Sequence, residues 1–280
     1  MNKSKISVGI VTFNPEIRLL VKNIKSIIKQ VDVIYIFDNG SKNIDEIEKT
    51  LNRLNKIRLL KEDKNHGIAY ALNKLCEKAI DDGYDYIITL DQDSISPDNL
   101  VYELVDNVED DIAVIAPNII YKNNEKYCDF NTRGLVEVDW LITSASLTNL
   151  GVWKKINGFD EKLFIDGVDK DFCLRAKKNG YKVIKDYNVH LIHELGNLKC
   201  KKLLGRVIYV TNHSAKRKYY MVRNSIYLDK KLGLDESKKT ILKNIFKIII
   251  YEEHKIKKIF FIFKGIIDGT SMIKKLKLER

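Results

Sequence analysis

Short apolar runs alternate with helical patterns from Ile6 to Ala116, and no other sequence feature constrains the fold as strongly. The runs are rich in β-branched residues and end at polar or turn residues, which is typical of strands buried on both faces of a parallel sheet. Between the runs, apolar residues recur at spacings of three and four, which predicts amphipathic helices. This alternation predicts an α/β fold with a mostly parallel, doubly wound, Rossmann-like sheet flanked by helices. The predicted strands are Ile6–Phe13, Val31–Phe37, Ile57–Leu60, Tyr86–Leu90 and Ile112–Ala116.

The pattern changes in the second half of the chain. Trp140–Leu147 and Tyr181–Ile192 are predicted strands, and Phe159–Lys178 reads as an acidic loop that leads into a helix. Residues after Lys216 show a helical pattern. The 280 residues include only 3 prolines, and no internal repeat or linker is evident. We therefore expect one large domain over residues 1–215 and a helical, basic extension over residues 216–280.

Polar residues follow three of the predicted strands. Asn14, Asp38 and the segment Asp91-Gln92-Asp93 stand at the carboxyl ends of these strands, where ligands bind in open α/β sheets. Two carboxylates spaced two residues apart can hold a hard divalent cation that also bridges diphosphate oxygens. The alternative explanation of this aspartate-rich segment is a solvated turn or a helix N-cap.

Four segments, in the same order along the chain, resemble motifs of the family-2 glycosyltransferases with the GT-A fold. The resemblance implies that Asp38 contacts the base of a nucleotide, that Asp91 bonds its ribose, and that Asp93, with Asp91, holds Mg²⁺ or Mn²⁺. The segments are Val11-Thr12-Phe13-Asn14, Phe37-Asp38-Asn39-Gly40-Ser41, Asn65-His66-Gly67-Ile68-Ala69 with Asn73, and Leu90-Asp91-Gln92-Asp93. The implied donor-binding residues are Thr12, Asn14, Asp38, Asn65, Gly67, Asp91 and Gln92.

A second acidic segment, Asp166-Gly167-Val168-Asp169, carries the implied catalytic base. The family commonly reads Glu-Asp-x-Asp-apolar-Cys-x-Arg here, and alignment on Asp171, Cys173 and Arg175 places its base on Asp169. Val168 stands where many members have Glu, but the segment with Asp166 is similar to the rhamnosyltransferase branch, and Asp166 is an implied donor-binding residue. Sugar transfer needs a carboxylate that takes the proton of the attacking hydroxyl. The alternative is that both aspartates stabilise a helix N-terminus.

Three further segments extend the resemblance. His193 follows a predicted strand, and the resemblance implies that it is a metal or diphosphate ligand. Ser144 lies in a segment similar to the family's Thr-Ser-Gly donor-sugar lining, although Ala145 stands in place of the usual glycine. Arg217 and Arg223 belong to a segment that resembles the Arg-x-Tyr-Tyr-x-x-Arg-Asn helix of the rhamnosyltransferase branch, in which Arg217, Tyr220 and Asn224 fall on one helical face. Arginine suits bidentate phosphate contacts, so we expect this helix either to close over the donor or to meet a lipid phosphate. For each of these residues a structural role is the alternative.

Positive charge is concentrated near the C-terminus. Lys238–Arg280 carries 12 basic and 4 acidic residues, so that +8 of the net charge of +11 lies there. Apolar residues recur between these lysines at helical spacing, which predicts basic amphipathic helices. Such helices rest on an anionic membrane surface or pack on the domain. No motif that reads nucleic acid is present, so nucleic acid is not an expected partner.

We expect a cytoplasmic protein, which is peripheral on the inner face of the cell membrane if its C-terminal helices bind that surface and not the domain. No signal-peptide core follows the N-terminal lysines, and no apolar run approaches the ~18 residues of a spanning helix.

The resemblance implies an inverting, metal-dependent hexosyltransferase that moves L-rhamnose from dTDP-rhamnose to a lipid-linked saccharide in surface polysaccharide synthesis. The alternatives are a UDP-hexose or galactofuranose donor, or a non-catalytic module that binds nucleotide sugars.

Overall fold

The computed structural model describes residues 4–121, 128–193, 199–203, 206–210 and 212–278, without the side chains at 193, 199–203, 206–210, 277 and 278. The chain forms two compact units. The first comprises Met1–Lys162 and Phe172–Glu194, and the second comprises Leu163–Asp171 and Leu195–Arg280. The domain boundary expected at residue 215 stays a proposal.

The first unit is built on an eight-stranded sheet within the described part of the chain. Its strands are β1 (Ile6–Thr12), β2 (Ile34–Asn39), β3 (Ile57–Glu62), β4 (Tyr86–Asp91), β5 (Ile112–Tyr121), β6 (Leu135–Glu137), β7 (Ser146–Asn149) and β8 (Lys182–His193). The spatial order is β3-β2-β1-β4-β7-β5-β8-β6. The pairs β2/β3, β1/β2, β1/β4 and β5/β8 are parallel, whereas β7 and β6 run antiparallel to their neighbours. The predicted mostly parallel α/β sheet is confirmed.

Helices pack against this sheet and bury its strands. They are α1 (Ile17–Ile27), α2 (Ile44–Leu51), α3 (Ile68–Asp81), α4 (Leu100–Asp106) and α5 (Leu150–Lys155). A further helix, α6 (Val168–Lys178), includes residues of both units. Every residue of β2 is buried. One apolar cluster joins Ile10 and Ile36 of the strands to Leu20 and Ile24 of α1. Burial of each such side chain contributes about 1.5–3 kcal/mol.

The predicted strand Trp140–Leu147 is wrong over most of its length, because only Ser146 and Leu147 lie in β7. Ala145 adopts a left-handed backbone with φ of +61°, and the Ser146 amide donates to the Thr143 carbonyl at 3.2 Å. The chain therefore turns just before β7 begins. Apolar periodicity across residues 140–147 gave no sign of this turn.

The second unit is helical apart from one antiparallel ribbon in its described residues. Its elements are β9 (Lys199–Leu203), β10 (Arg206–Val210), α7 (Ala215–Leu232), α8 (Ser237–Tyr251) and α9 (Lys255–Leu278). The predicted helical C-terminal region is confirmed. Ser214 caps α7 by accepting a hydrogen bond from the Arg217 amide, and Gly233 ends the helix in a left-handed conformation. No helix within the described residues is long and apolar enough to cross a membrane.

Helix α9 lies close to α7 because small residues face it. A Cβ at Gly265 of α9 would lie 2.7 Å from the Tyr219 carbonyl oxygen of α7. A Cβ at Gly269 would lie 2.8 Å from the Arg223 carbonyl oxygen. Glycine thus permits an approach that a larger residue would block. Val222, Ile248 and Ile262 form the small apolar core of the three helices.

A buried ion network connects the same three helices. Glu252 accepts hydrogen bonds from Lys218 Nζ at 2.7 Å and from Lys258 Nζ at 2.8 Å. Lys218 Nζ also donates a hydrogen bond to Asn244 Oδ1, and Lys258 Nζ donates one to Asn212 Oδ1. Burial opposes ionisation of Glu252, but the hydrogen bonds from the lysines lower its pKa below the ordinary value. The network therefore fixes the segment between α8 and α9 in a charged, hydrogen-bonded state.

Candidate functional site

The carboxyl ends of β2, β1 and β4 lie side by side. Thr12 of β1 pairs with Asp38 of β2, and Val11 pairs with Asp91 of β4. Neighbouring strands are about 4.8 Å apart, so these residues form one short row. The chain proceeds from β1 to β2 and β3 on one side and returns to β4 on the other. That reversal is the position at which open α/β sheets bind ligands.

Asp38 anchors the loops that follow β1 and β2. Its carboxylate is buried and accepts hydrogen bonds from Thr12 Oγ1 at 3.0 Å and from the Ser41 amide at 2.9 Å. The Asn14 amide donates to Ser41 Oγ at 2.7 Å, and Asn14 Oδ1 accepts from the Lys42 amide at 2.8 Å. The two loops are thereby joined. Contact of Asp38 with a nucleotide base stays a prediction.

Asn39 joins the end of β2 to the start of α3. Its Nδ2 donates to the Gly67 carbonyl at 3.0 Å, and its Oδ1 accepts from the His66 amide at 2.9 Å. Asn65 Oδ1 accepts from the Gly67 amide at 2.8 Å. Gly67 is the N-cap residue of α3, with φ of +94°, and no described side chain caps this helix. The uncapped N–H groups and the helix dipole favour an anion such as a phosphate at this end.

The segment after β4 is held at its backbone and at Gln92, while its carboxylates remain exposed. Asn23 Nδ2 donates to the Asp91 carbonyl, and Gln92 Oε1 accepts from the Phe13 amide at 2.9 Å. The side chain of Asp93 is exposed and has no hydrogen bond or ion pair within the described residues. Asp93 therefore offers both carboxylate oxygens to a ligand, on a segment whose backbone is fixed.

The acidic residues fit a cation that is shared with a ligand. Among the residues whose side chains the structure describes, no group of three His, Cys, Asp or Glu could hold a metal ion. His193 ends β8, and its side chain lies outside the described residues. Mg²⁺ and similar cations are commonly held by one or two carboxylates together with phosphate oxygens and water. Asp93 and Asp91 fit a site of this kind, in which the ligand completes the coordination of the cation. They do not fit a metal site made of protein side chains alone.

The segment before β7 is fixed against β4. Ser144 is only 1% exposed, and its hydroxyl is hydrogen-bonded to Ser94 Oγ at 2.8 Å. Thr89 Oγ1 donates to the Thr143 carbonyl at 2.6 Å. The left-handed backbone of Ala145 is one that glycine adopts more readily. The role of Ser144 in donor binding stays a prediction.

In the second unit, Asn224 of α7 holds the loop that precedes α6. Its Nδ2 lies within hydrogen-bond distance of three carbonyl oxygens, at 2.7 Å from Leu163, 2.8 Å from Ile165 and 2.7 Å from Asp166. Positive φ angles are unfavourable for most residues, so this loop depends on such support. The loop residues with positive φ are Phe164, Asp166 and Gly167.

Arg217 and Tyr220 contact the same loop. Arg217 pairs with Asp166, with Nη2 at 3.0 Å from Oδ1, and the Tyr220 ring stacks on Phe164 with centroids 4.8 Å apart. The predicted common face of Arg217, Tyr220 and Asn224 is confirmed by these contacts. Arg223 lies over the Tyr220 ring at 4.7 Å and donates from Nε to Asn224 Oδ1 at 2.8 Å. Donor binding by Asp166 and the two arginines stays a prediction.

Two carboxylates lie in the first turn of α6, and their surroundings differ. Asp171 is fully buried and pairs with Lys231 Nζ at 2.6 Å. Asp169 is partly exposed, and its Oδ1 accepts a hydrogen bond from the Lys170 amide at 2.9 Å. This bond agrees with the helix-terminus alternative but leaves the carboxylate accessible. Of the two residues, only Asp169 can reach a hydroxyl of another molecule.

The sequence assigned no loop-holding role to three asparagines, namely Asn23, which it did not single out, and Asn39 and Asn224, which it placed only within motifs. Asn23 carries a usable signal, because it lies on the apolar face of α1 beside Leu20 and Ile24. A polar residue buried on such a face needs a hydrogen-bond partner. The partners of the other two are far away in sequence and follow from the fold alone.

Residues 7–173 match the family model described as glycosyl transferase family 2. The chain is 30% identical over 244 residues to the dTDP-rhamnosyl transferase RfbF of Shigella flexneri, and the match covers 81% of each chain.

Solved structures of glycosyltransferases have the same fold. A mannosyltransferase of Pyrobaculum calidifontis, in complex with GDP-Man and Mn²⁺, is 10% identical with a TM-score of 0.62, covering 97% of this chain and 74% of that one. GalNAc-T7, with UDP, GalNAc and Mn²⁺, is 14% identical with a TM-score of 0.57. The match covers 90% of this chain and 58% of the GalNAc-T7 chain. At these identities the likeness shows the fold.

Proposed function

The chain belongs to glycosyl transferase family 2 and is a rhamnosyltransferase-like glycosyltransferase of the GT-A fold, and we therefore propose that it transfers L-rhamnose from dTDP-rhamnose. One observation carries the proposal. The register places Asp38 and Asp91 on either side of β1, next to an exposed Asp93 on a fixed segment. This row supplies oxygen atoms for a nucleoside and for a cation bound to its diphosphate.

The proposed donor rests on likeness to the rhamnosyltransferase branch. The Shigella relative is a dTDP-rhamnosyl transferase. The segment Asp166–Asp169 and the α7 face that holds it are the parts similar to that branch. The alternatives are a UDP-hexose or galactofuranose donor, and a non-catalytic module that binds nucleotide sugars.

We assign the following roles to the residues of this chain. Asp38 and Asp91 hold the nucleoside, and Asp93 would hold Mg²⁺ or Mn²⁺ with Asp91 and His193. Such a cation, when bound, neutralises the charge of the departing nucleoside diphosphate. Thr12, Asn14 and Gln92 fix the loops around the donor, and the start of α3 at Asn65 and Gly67 faces its diphosphate.

Asp169 is the proposed general base. It takes the proton of the acceptor hydroxyl as that oxygen attacks the anomeric carbon. Attack opposite the leaving group inverts the configuration of the sugar. The buried Ser144 fixes the segment that lines the donor sugar, while Arg217 and Arg223 support the loop of Asp166 and contribute positive charge.

We propose a lipid-linked saccharide as acceptor, in the synthesis of a surface polysaccharide. The reaction would then take place on the inner face of the cell membrane. The exposed apolar side chains and lysines of α8 and α9 support this location. A lipid-linked acceptor is available only at such a surface.

A donor panel tests the proposal. Donor hydrolysis and thermal stabilisation are measured for dTDP-rhamnose, UDP-glucose, UDP-galactofuranose and GDP-mannose, with and without Mn²⁺. We expect dTDP-rhamnose to give the largest stabilisation and the fastest hydrolysis, in both cases with Mn²⁺. Faster hydrolysis of a UDP-sugar would contradict the rhamnose assignment. Binding without turnover in the presence of any acceptor extract would favour the non-catalytic module.

A further inference from the structure

Exposed apolar side chains are concentrated on two helices. Of the fifteen large hydrophobic residues that are exposed in the described part of the chain, eight lie in α8 and α9. The surfaces of soluble proteins routinely carry single apolar residues, but a concentration of this kind marks an interaction site. The eight are Leu242, Phe246, Ile249, Ile250, Ile256, Phe260, Phe263 and Ile267.

On α9 the exposed apolar residues form one stripe. Ile256, Phe260, Phe263 and Ile267 are 90%, 64%, 57% and 68% exposed. Their spacings of four, three and four place them within about 60° of arc on a helix with 3.6 residues per turn. The two glycines that touch α7 lie on the opposite side of α9. The packing of α9 therefore leaves the whole stripe uncovered within the second unit.

Helix α8 repeats the arrangement. Leu242, Phe246 and Ile249 are exposed and lie on one face, at spacings of four and three. Asn244 and Ile248 point to the other side and are buried among the helices. Two consecutive helices of the unit thus each present an apolar stripe opposite their packed face. We call these two stripes the apolar stripes of α8 and α9.

Lysines border both stripes. Lys243 on α8 and Lys257, Lys264 and Lys275 on α9 are exposed, and each lies about 70–90° around the helix from the middle of the stripe. The segment Lys238–Arg280 has a net charge of +8. Two copies of such a surface would repel each other, whereas an anionic surface would attract it. The occupant that matches both the apolar stripe and its charged border is a lipid bilayer with anionic headgroups.

We propose that the apolar stripes of α8 and α9 bind the interface of an anionic bilayer, with the aromatic and aliphatic side chains among the acyl chains and the lysines at the headgroups. The inference deepens the proposed function and rests on it only for the identity of the membrane face. Binding itself requires no donor, no cation and no acceptor.

Vesicle sedimentation tests the proposal with the full chain. The vesicles contain phosphatidylglycerol and phosphatidylcholine in equal parts, or phosphatidylcholine alone. We expect the chain to sediment with the anionic vesicles and to be released as salt is raised. The double variant Phe260→Gln, Phe263→Gln should bind at least about tenfold more weakly, because it loses the transfer of two aromatic side chains. The variant Lys257→Gln, Lys275→Gln should also bind at least about tenfold more weakly, since each lysine contributes roughly fivefold.

A matched control removes exposed aromatic residues from the first unit. Tyr102→Gln combined with Phe130→Gln changes two side chains of comparable exposure, outside α8 and α9. It should sediment like the parent chain. Thermal stabilisation by dTDP-rhamnose, measured for every variant, separates loss of the membrane surface from failure of the proposed function.

Two results would overturn the proposal. The first is a parent chain that does not sediment with anionic vesicles at low salt, or that sediments with them no better than the Phe260→Gln, Phe263→Gln variant does. The second is a lipid-free dimer, seen by sedimentation velocity, that the same double variant dissociates. That outcome would make the stripes an interface between two copies of the chain.

Discussion

Gly40 shows how closely the loops at the ends of the strands are packed. Its φ is +81°, and a Cβ placed on it would lie 2.5 Å from the backbone carbonyl carbon of Lys64. Backbone atoms cannot move aside as a flexible side chain can. The loop after β2 and the segment before α3 therefore fit together only with glycine at this position.

We predict that Gly40→Ala destabilises the chain more than Gly83→Ala does. Gly83 has a similar φ of +77°, but a Cβ placed on it would meet no atom within 4 Å. Gly83→Ala should cost about 1–2 kcal/mol from the left-handed backbone alone. Gly40→Ala adds a clash with backbone and should cost more, as measured by urea unfolding. Equal losses would show that the close approach to Lys64 has no energetic effect.

The assignment of Asp169 as base makes a separate prediction. Asp169→Asn keeps the size of the side chain but cannot take a proton, so the rate of transfer should fall by about 10²–10⁴-fold. The affinity for dTDP-rhamnose should stay close to that of the parent. Turnover of labelled sugar and isothermal titration measure the two quantities. A variant that transfers at the parental rate would exclude Asp169 as the base.

Helix α7 positions the loop before α6 through Arg217, Tyr220 and Asn224, of which Asn224 bonds to the backbone of the loop. Three carbonyl oxygens of that loop lie within hydrogen-bond distance of its Nδ2 and share the two N–H groups of that atom. An apolar residue of similar size would leave the Ile165 and Asp166 carbonyls without this donor, whereas the Leu163 carbonyl also accepts from the Ile165 amide. The cost of such an unpaired group is about 1–3 kcal/mol.

We therefore predict that Asn224→Leu lowers the free energy of unfolding by at least about 2 kcal/mol and reduces kcat. Ser225→Ala is the matched control, because the Ser225 hydroxyl bonds, within the described residues, to the Val222 carbonyl of the same helix. Urea unfolding and steady-state kinetics measure the effects. If both variants behaved alike, the hydrogen bonds of Asn224 to the loop would contribute little.

His213, just before α7, gives the second unit a pH dependence. Burial, with Arg217 and Lys218 nearby, lowers its pKa from 6.5 to about 4, and Asp166 and Glu252 oppose this shift only in part. Between those values the unfolded chain binds the proton more readily than the folded chain. The free energy of unfolding therefore decreases as pH falls from about 6.5 to about 4.

We predict that His213→Gln makes the urea midpoint less sensitive to pH across this window. The variant has no group that must be kept neutral at that position. His190→Gln, which removes an exposed histidine of β8, is the matched control. A pH dependence that is the same in the parent and in His213→Gln would contradict the assigned cause.

For the whole molecule, the sequence predicted the alternation of strands and helices from β1 to β5 and the row of polar strand ends, but not β6, β9 or β10. Buried strands and amphipathic helices follow from local periodicity, which a single sequence contains. Asp38 and Asp91 could be placed for the same reason, since both directly follow predicted strands. The turn at Ala145 and the antiparallel strand β7 could not be predicted, because their determinants are long-range hydrogen bonds such as that from the Ala145 amide to the Thr89 carbonyl.

The proposed function depends above all on a nucleoside diphosphate held at the ends of β1, β2 and β4 through a cation on Asp93. Titration of dTDP-rhamnose with and without Mn²⁺, in the parent chain and in Asp93→Asn, measures that interaction. Asp98→Asn, which changes another exposed aspartate close by, is the matched control. We expect Mn²⁺ to strengthen binding at least about tenfold, or 1.4 kcal/mol, in the parent and control, and Asp93→Asn to lose this gain. An equal gain from Mn²⁺ in all three proteins, or no gain in the parent, would contradict the proposed site.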